Sequence, residues 1–216
     1  MTQNLKKRIL TSTLLLLILF FSFINNYLLG YVLMVFAIFS ILEFSGMMMI
    51  ILKKKKILKF FINLIFILYI FYFCTFFLTL SSSLYIKILI FVILLTCIAS
   101  DIGGYVFGKI FKGPKLTKIS PKKTISGALG SLIFSGTFAT FLIYYLTKNF
   151  EFNMMIIGFV TSISCQAGDI FFSFLKRKCL LKDTGNFLPG HGGALDRIDS
   201  ILVGIPIGFL TLLIIY

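Results

Sequence analysis

Tryptophan is absent from the 216 residues, histidine occurs once, at His191, and only seven side chains are acidic. Charged residues make up 13% of the chain, where an ordinary soluble domain carries about a quarter. That scarcity excludes a water-soluble globule. One histidine is too few for a His-rich metal site. The four cysteines, Cys74, Cys97, Cys165 and Cys179, are far apart and form no C-x-x-C pair, so neither a disulfide framework nor a thiolate metal site is expected. The chain also lacks G-x-x-x-x-G-K-S/T and G-x-G-x-x-G, the glycine loops of the common nucleotide-binding folds.

What is present is apolar: 59% of residues are hydrophobic, 27 are Phe and 9 are Tyr, and the mean hydropathy is +1.05. The aromatic load reads as lipid-facing bulk. A membrane-spanning helix takes roughly 20 mainly apolar residues, so the length accommodates about six to eight spans and little else. The expected fold is all-α, a polytopic integral membrane protein with about seven transmembrane helices. Apolar runs bounded by charge or by Gly and Asn place them near 9–24, 27–51, 57–78, 84–100, 125–146, 153–175 and 200–216. Lys6-Lys7-Arg8 precedes the first run with no small-residue cleavage site after it, so that run is expected to be a retained span.

The net charge of +14 sorts with these spans. Lys6, Lys7 and Arg8, Lys53 to Lys56 with Lys59, Lys109 to Lys123, and Lys176 to Arg197 all fall on one side, leaving only Lys87 and Lys148 on the other. Lys and Arg in short loops mark the cytoplasmic face, which puts the N-terminus inside and the C-terminus outside. The positive charge is therefore assigned to membrane topology and anionic headgroups, and nucleic acid is not an expected partner.

The acids follow the same side. Asp101 ends the fourth span, Asp169 lies two helical turns before the end of the sixth, and Asp196 and Asp199 introduce the seventh, with Asp183 in the loop between the last two. Glu43, inside the second span, and Glu151, in an outer loop, are the remaining two. An ionised carboxylate within a span costs roughly 2.5 to 3.5 kcal/mol, so Asp169 needs a partner. Two readings stand: a salt bridge to a neighbouring Lys or Arg, or a hard divalent cation shared with Asp196, with Asp199 a further candidate ligand. Residues 176–199 then pack five cationic residues, four glycines, His191 and three aspartates into 24 positions. Pro189-Gly190-His191-Gly192-Gly193 before a helix start suggests uncovered N–H groups that suit phosphate. Asp101-Ile102-Gly103-Gly104, Gly108-Lys109 and Ser120-Pro121-Lys122-Lys123 read as a second loop of similar character, either a phosphate-binding surface or a headgroup patch.

Ser173-x-x-Lys176-Arg177, Lys182-Asp183-x-Gly185 and Pro189-Gly190-His191-Gly192-Gly193-x-x-Asp196-Arg197-x-Asp199, at fixed spacing over 27 positions, resemble the signature of the phosphatidate cytidylyltransferase (CDP-diacylglycerol synthase) family. Ser100-Asp101, Gly103-Gly104-Tyr105 and Ile119 to Thr124 resemble it too, so the likeness runs over residues 100–203. Where the family has Trp-Glu-Gly this chain has Ile125-Ser126-Gly127, so Ser126 cannot supply that glutamate. The resemblance implies transfer of the CMP moiety of CTP to phosphatidic acid, giving CDP-diacylglycerol and pyrophosphate, with Mg²⁺ as cofactor on Asp169 and Asp196. It implies Lys176 and Arg177 as further catalytic residues. Asp101, Lys122, Lys123, Ser173, Lys182, Asp183, His191, Gly192, Gly193, Arg197 and Asp199 are the implied substrate-binding positions. A single domain over 1–216 is expected, with N-terminal spans in 1–99 and the catalytic half in 100–216, in the inner (plasma) membrane with its site toward the cytoplasm. CTP, phosphatidic acid and membrane lipids are the expected partners, with a homodimer left open. A CTP-dependent lipid kinase and an anion transporter are the rival readings.

Overall fold

The computed structural model describes residues 3–117, 119–120, 123–185, 187 and 192–216, with side chains from Ile9 onward. Among the described residues there are seven α-helices: α1 (Gln3–Ile24), α2 (Asn26–Ile51), α3 (Lys56–Leu80), α4 (Leu84–Phe111), α5 (Ile125–Thr147), α6 (Asn153–Lys178) and α7 (Leu195–Ile215). Helices α2 to α7 are long and apolar enough to cross a membrane, and the described apolar part of α1, Ile9–Ile24, is shorter. The chain is thus an all-α, multi-pass membrane protein, as the apolar runs suggest. Helices dominate because lipid offers no partner for an exposed N–H or C=O, and a helix satisfies both within one segment.

By its contacts the chain divides into two compact units, residues 1–87 with 175–198, and 88–174 with 199–216. In the first, a single residue separates α1 from α2: the Asn25 side chain accepts from the Tyr27 and Leu28 N–H groups and caps α2. Asn26 then ties this turn to the next one, donating to the Ser81 carbonyl at 3.2 Å and accepting from Lys87 Nζ at 2.6 Å. The Phe44 and Phe66 rings stack between α2 and α3.

Small residues bring the helices of the second unit together. Ser100 and Ser162 share a hydrogen bond at 2.7 Å, and Gln166 donates to Ser131 Oγ at 2.6 Å. Hydrocarbon tails are as apolar as Leu, so close packing and interhelical hydrogen bonds, rather than burial from water, hold such a seam.

Helix α4 differs from the sequence reading, which ended its span at 100 and placed a glycine loop from Asp101. The helix continues to Phe111, and Gly103, Gly104 and Gly108 are contacts with α5 rather than loop residues. A Cβ on Gly103 would stand 2.8 Å from Phe134 Cβ, and one on Gly127 would stand 2.7 Å from the Gly104 carbonyl oxygen. The helix stops where Lys112 and Gly113 both take positive φ, 50° and 117°. Gly127→Val is therefore expected to lower stability by about 1 to 3 kcal/mol through overpacking against backbone. Gly46→Ala, with nothing within 4 Å of the new Cβ, is its control. Thermal unfolding in detergent compares the two.

Candidate active site

In the first unit the site grows from the end of α6 and the start of α7. Lys176, Arg177 and Lys178 occupy the last turn of α6, where cations complement the helix dipole. The helix closes with Leu180 at φ 58° and the Leu181 N–H donating back to the Lys176 carbonyl. Cys179 Sγ donates to the Met47 carbonyl and anchors this end to α2. Burial pushes the Cys179 thiol above its ordinary pKa, so it stays a neutral packing group.

Lys176 Nζ lies 2.8 Å from Asp196 Oδ1, and the two side chains are only 12% and 6% exposed. Asp196 Oδ2 accepts from the Thr184 N–H at 2.7 Å and the Gly193 N–H at 3.1 Å. Gly192 turns the chain here at φ 88°, and its absent side chain leaves room for Asp196 and Asp183. Arg177 is exposed and donates to the Leu181 carbonyl at 3.2 Å. Lys182, Asp183 and Arg197 are exposed too.

Sequence reading leaves Glu43 without a task, and the structure gives it one. Its carboxylate, from the interior of α2, accepts from Thr184 Oγ1 at 2.5 Å and from the Ala194 and Leu195 N–H groups at 2.9 Å each. The Gly193 N–H, in the turn that the sequence offers to phosphate, thus donates to Asp196, and the Ala194 and Leu195 N–H groups that follow it donate to Glu43. A lone acid in an apolar span signals the need for partners. Nothing in the spacing says that they sit some 140 to 150 residues downstream.

The second unit carries a separate ion pair. Lys123 Nζ lies 2.6 Å from Asp169 Oδ2, with side chains 30% and 25% exposed, which answers the need for a partner at Asp169. Local hydrogen bonds deliver Lys123 there. The Leu116 N–H donates to the Lys123 carbonyl, the Ile125 N–H to the Pro114 carbonyl, and Thr124 Oγ1 caps α5 through the Gly127 N–H. Ser126, where a glutamate stands in the family pattern, donates to the Lys112 carbonyl and joins the ends of α4 and α5. Asp199 is buried, with Oδ1 accepting from the Ser200 N–H, and Ser200 Oγ donates to Asp101 Oδ2 at 3.2 Å. Ser173 is half-buried on α6. Gly168 lets α7 approach, since a Cβ there would stand 2.6 Å from the Asp199 carbonyl oxygen. Lys122 and His191, with Pro121, Pro189 and Gly190 of the same motifs, lie outside the described residues.

Among the described residues no group of three or more His, Cys, Asp or Glu side chains gathers to hold a metal. Asp169 and Asp196 nevertheless suit Mg²⁺ chemically. They are hard oxygen donors, each facing a cation in the structure. Mg²⁺ commonly takes one or two carboxylates and completes its shell with water and substrate phosphate.

Known proteins are similar to this chain over about half of its length. The chain is 39% identical over 128 residues to a phosphatidate cytidylyltransferase of Rickettsia felis, covering 55% of this chain and 56% of that protein. It is 37% identical over 112 residues to one of Helicobacter pylori, covering 52% and 42%. It is 40% identical over 115 residues to one of Mycobacterium leprae, covering 52% and 36%. In these alignments the chain spans about half, or less, of the length of the curated relatives it matches. The Cytidylyltransferase family model, in contrast, matches residues 1–215. With a membrane-embedded helical fold and paired carboxylates and lysines on the motif positions, this chain belongs to the Cytidylyltransferase family.

Proposed function

We propose that the protein transfers the CMP moiety of CTP to phosphatidic acid, releasing pyrophosphate, at the cytoplasmic face of the inner membrane. The observation that carries this reading is the Lys176–Asp196 pair, braced by Thr184 and Gly193 within the stretch that resembles the family signature. The three relatives above are all named phosphatidate cytidylyltransferase. Loop charge supports the cytoplasmic orientation, and CTP is a cytoplasmic nucleotide.

The chemical obstacle is repulsion between two anions. A phosphate oxygen of phosphatidic acid attacks the α-phosphorus of CTP, a new P–O–P bond forms, and the bond to the β-phosphate oxygen breaks with its electron pair leaving on pyrophosphate. A phosphomonoester loses its second proton near pH 6, so the nucleophile arrives ionised and no strong general base is required. Positioning and charge neutralisation are what remain to be supplied. Asp169 and Asp196 are each a candidate carboxylate ligand for Mg²⁺, which would supply charge compensation for the triphosphate and the departing pyrophosphate. Lys176 and Lys123, each paired with one of these aspartates, carry positive charge that can neutralise phosphate oxygens. Arg177, Lys182 and Arg197, exposed on the same motif, add positive charge for the nucleotide.

Purified protein in mixed micelles is expected to release pyrophosphate only when CTP, phosphatidic acid and Mg²⁺ are all present, and EDTA is expected to stop it. Release of CDP instead would favour the lipid kinase, and movement of an anion across liposomes without turnover would favour the transporter.

A further inference from the structure

Glu43 is a charged group in the interior of an apolar helix, two turns from its end, and three donors hold it there. Two of them, the Ala194 and Leu195 N–H groups, open the first turn of α7, where Asp196 lies. The third, the Thr184 hydroxyl, belongs to the residue whose own N–H donates to Asp196. Glu43 and Asp196 thus accept hydrogen bonds from the same two stretches of chain, at Thr184 and at 193–195. The loop glycines fit this arrangement closely: a Cβ on Gly185 would stand 2.6 Å from Glu43 Oε1, and one on Gly193 would run into Thr184 Oγ1 and Glu43. One turn along α2, the Met47 carbonyl accepts from Cys179 just beyond the turn of α6 that carries Lys176. One face of α2 therefore fastens both segments that carry the Lys176–Asp196 pair.

We infer that Glu43 is a positioning residue, whose carboxylate sets the Lys176–Asp196 pair for the nucleotide through Thr184 and the first turn of α7. The inference rests on the reading of that pair given under the proposed function. A neutral amide cannot replace the carboxylate, because Gln turns an NH₂ donor toward at least one of the three donors. Orientation of a ligand by such an outer contact is commonly worth 10- to 100-fold in metal affinity or activity.

The test uses the protein in nanodiscs and three variants: Glu43→Gln, Thr184→Val, which removes the hydroxyl but keeps the N–H to Asp196, and the two combined. Turnover is measured as a function of CTP, phosphatidic acid and Mg²⁺. Mn²⁺ binding in the presence of CTP is followed by electron paramagnetic resonance, and unfolding is followed thermally. Glu43→Gln is expected to lower kcat about 10- to 100-fold, to weaken Mn²⁺ binding at least several-fold and to leave the KM for phosphatidic acid within about twofold. Thr184→Val is expected to produce a smaller change of the same kind, and the double variant to be no worse than Glu43→Gln, as for two partners of one contact. Unaltered Mn²⁺ binding in Glu43→Gln, additive losses in the double variant, or a loss of activity that merely follows the unfolding temperature would overturn the inference. If Glu43→Gln does not fold, Thr184→Val decides alone: Mn²⁺ binding and turnover like those of the unsubstituted protein count against the inference. If the unsubstituted protein makes no cytidine-bearing lipid but Glu43→Gln still weakens Mn²⁺ binding, the reaction is misassigned and the positioning role stands.

Discussion

Asp196→Asn is expected to lower turnover at least about a hundredfold, a loss of about 2.7 kcal/mol in transition-state stabilisation, and to destabilise the fold as well. Both effects follow from its surroundings. The substitution removes a carboxylate charge from the proposed Mg²⁺ site, and it leaves Lys176 Nζ, in a side chain only 12% exposed, opposite an amide. Removing one partner of a fully buried pair costs about 3 to 5 kcal/mol, and this pair, mostly but not fully buried, is expected to lose part of that. The Thr184 and Gly193 N–H groups keep an acceptor in the Asn oxygen, so the damage is concentrated on the ion pair. Adding Lys176→Met to Asp196→Asn is expected to restore most of the thermal stability and none of the turnover. Recovery of both in the double variant would mean that the pair is only a structural bridge.

Asp169→Asn is expected to abolish turnover to a similar degree while scarcely changing stability. Its ion pair with Lys123 is 25% and 30% exposed, and pairs open to solvent contribute about 0 to 1 kcal/mol. The protein should remain in the membrane and unfold within a few degrees of the unsubstituted temperature, with activity near background. The two aspartates therefore separate by stability although they agree in activity. Near-normal activity of Asp169→Asn would remove it from the proposed Mg²⁺ ligands and leave it as the salt bridge that the sequence reading allows.

The helices are legible in the sequence because a span is long and its signal is additive. Even the join between α1 and α2, marked only by Asn25 and Asn26, has a local chemical cause, since Asn25 caps the helix that follows it. The end of α4 is not legible, because paired glycines read alike whether they turn a loop or admit a neighbouring helix. That distinction lies in Phe134 and Gly127 on α5. The site divides in the same way. Lys176, Asp196 and the intervening glycines can be read from spacing, whereas their bracing cannot. Glu43 meets Thr184 across 141 positions and Lys123 meets Asp169 across 46, and no local pattern encodes either meeting. Helix N–H groups that look available for phosphate in one dimension are held by carboxylates in three.

The central claim is that this site moves a nucleotide onto a lipid rather than a terminal phosphate. Membranes containing the protein, supplied with phosphatidic acid, Mg²⁺ and CTP labelled at either the α- or the γ-phosphorus, test it most directly. The account predicts that the α label enters the lipid fraction together with cytidine while the γ label appears as pyrophosphate. Incorporation of the γ label into lipid, or no labelled lipid with either nucleotide, would contradict it.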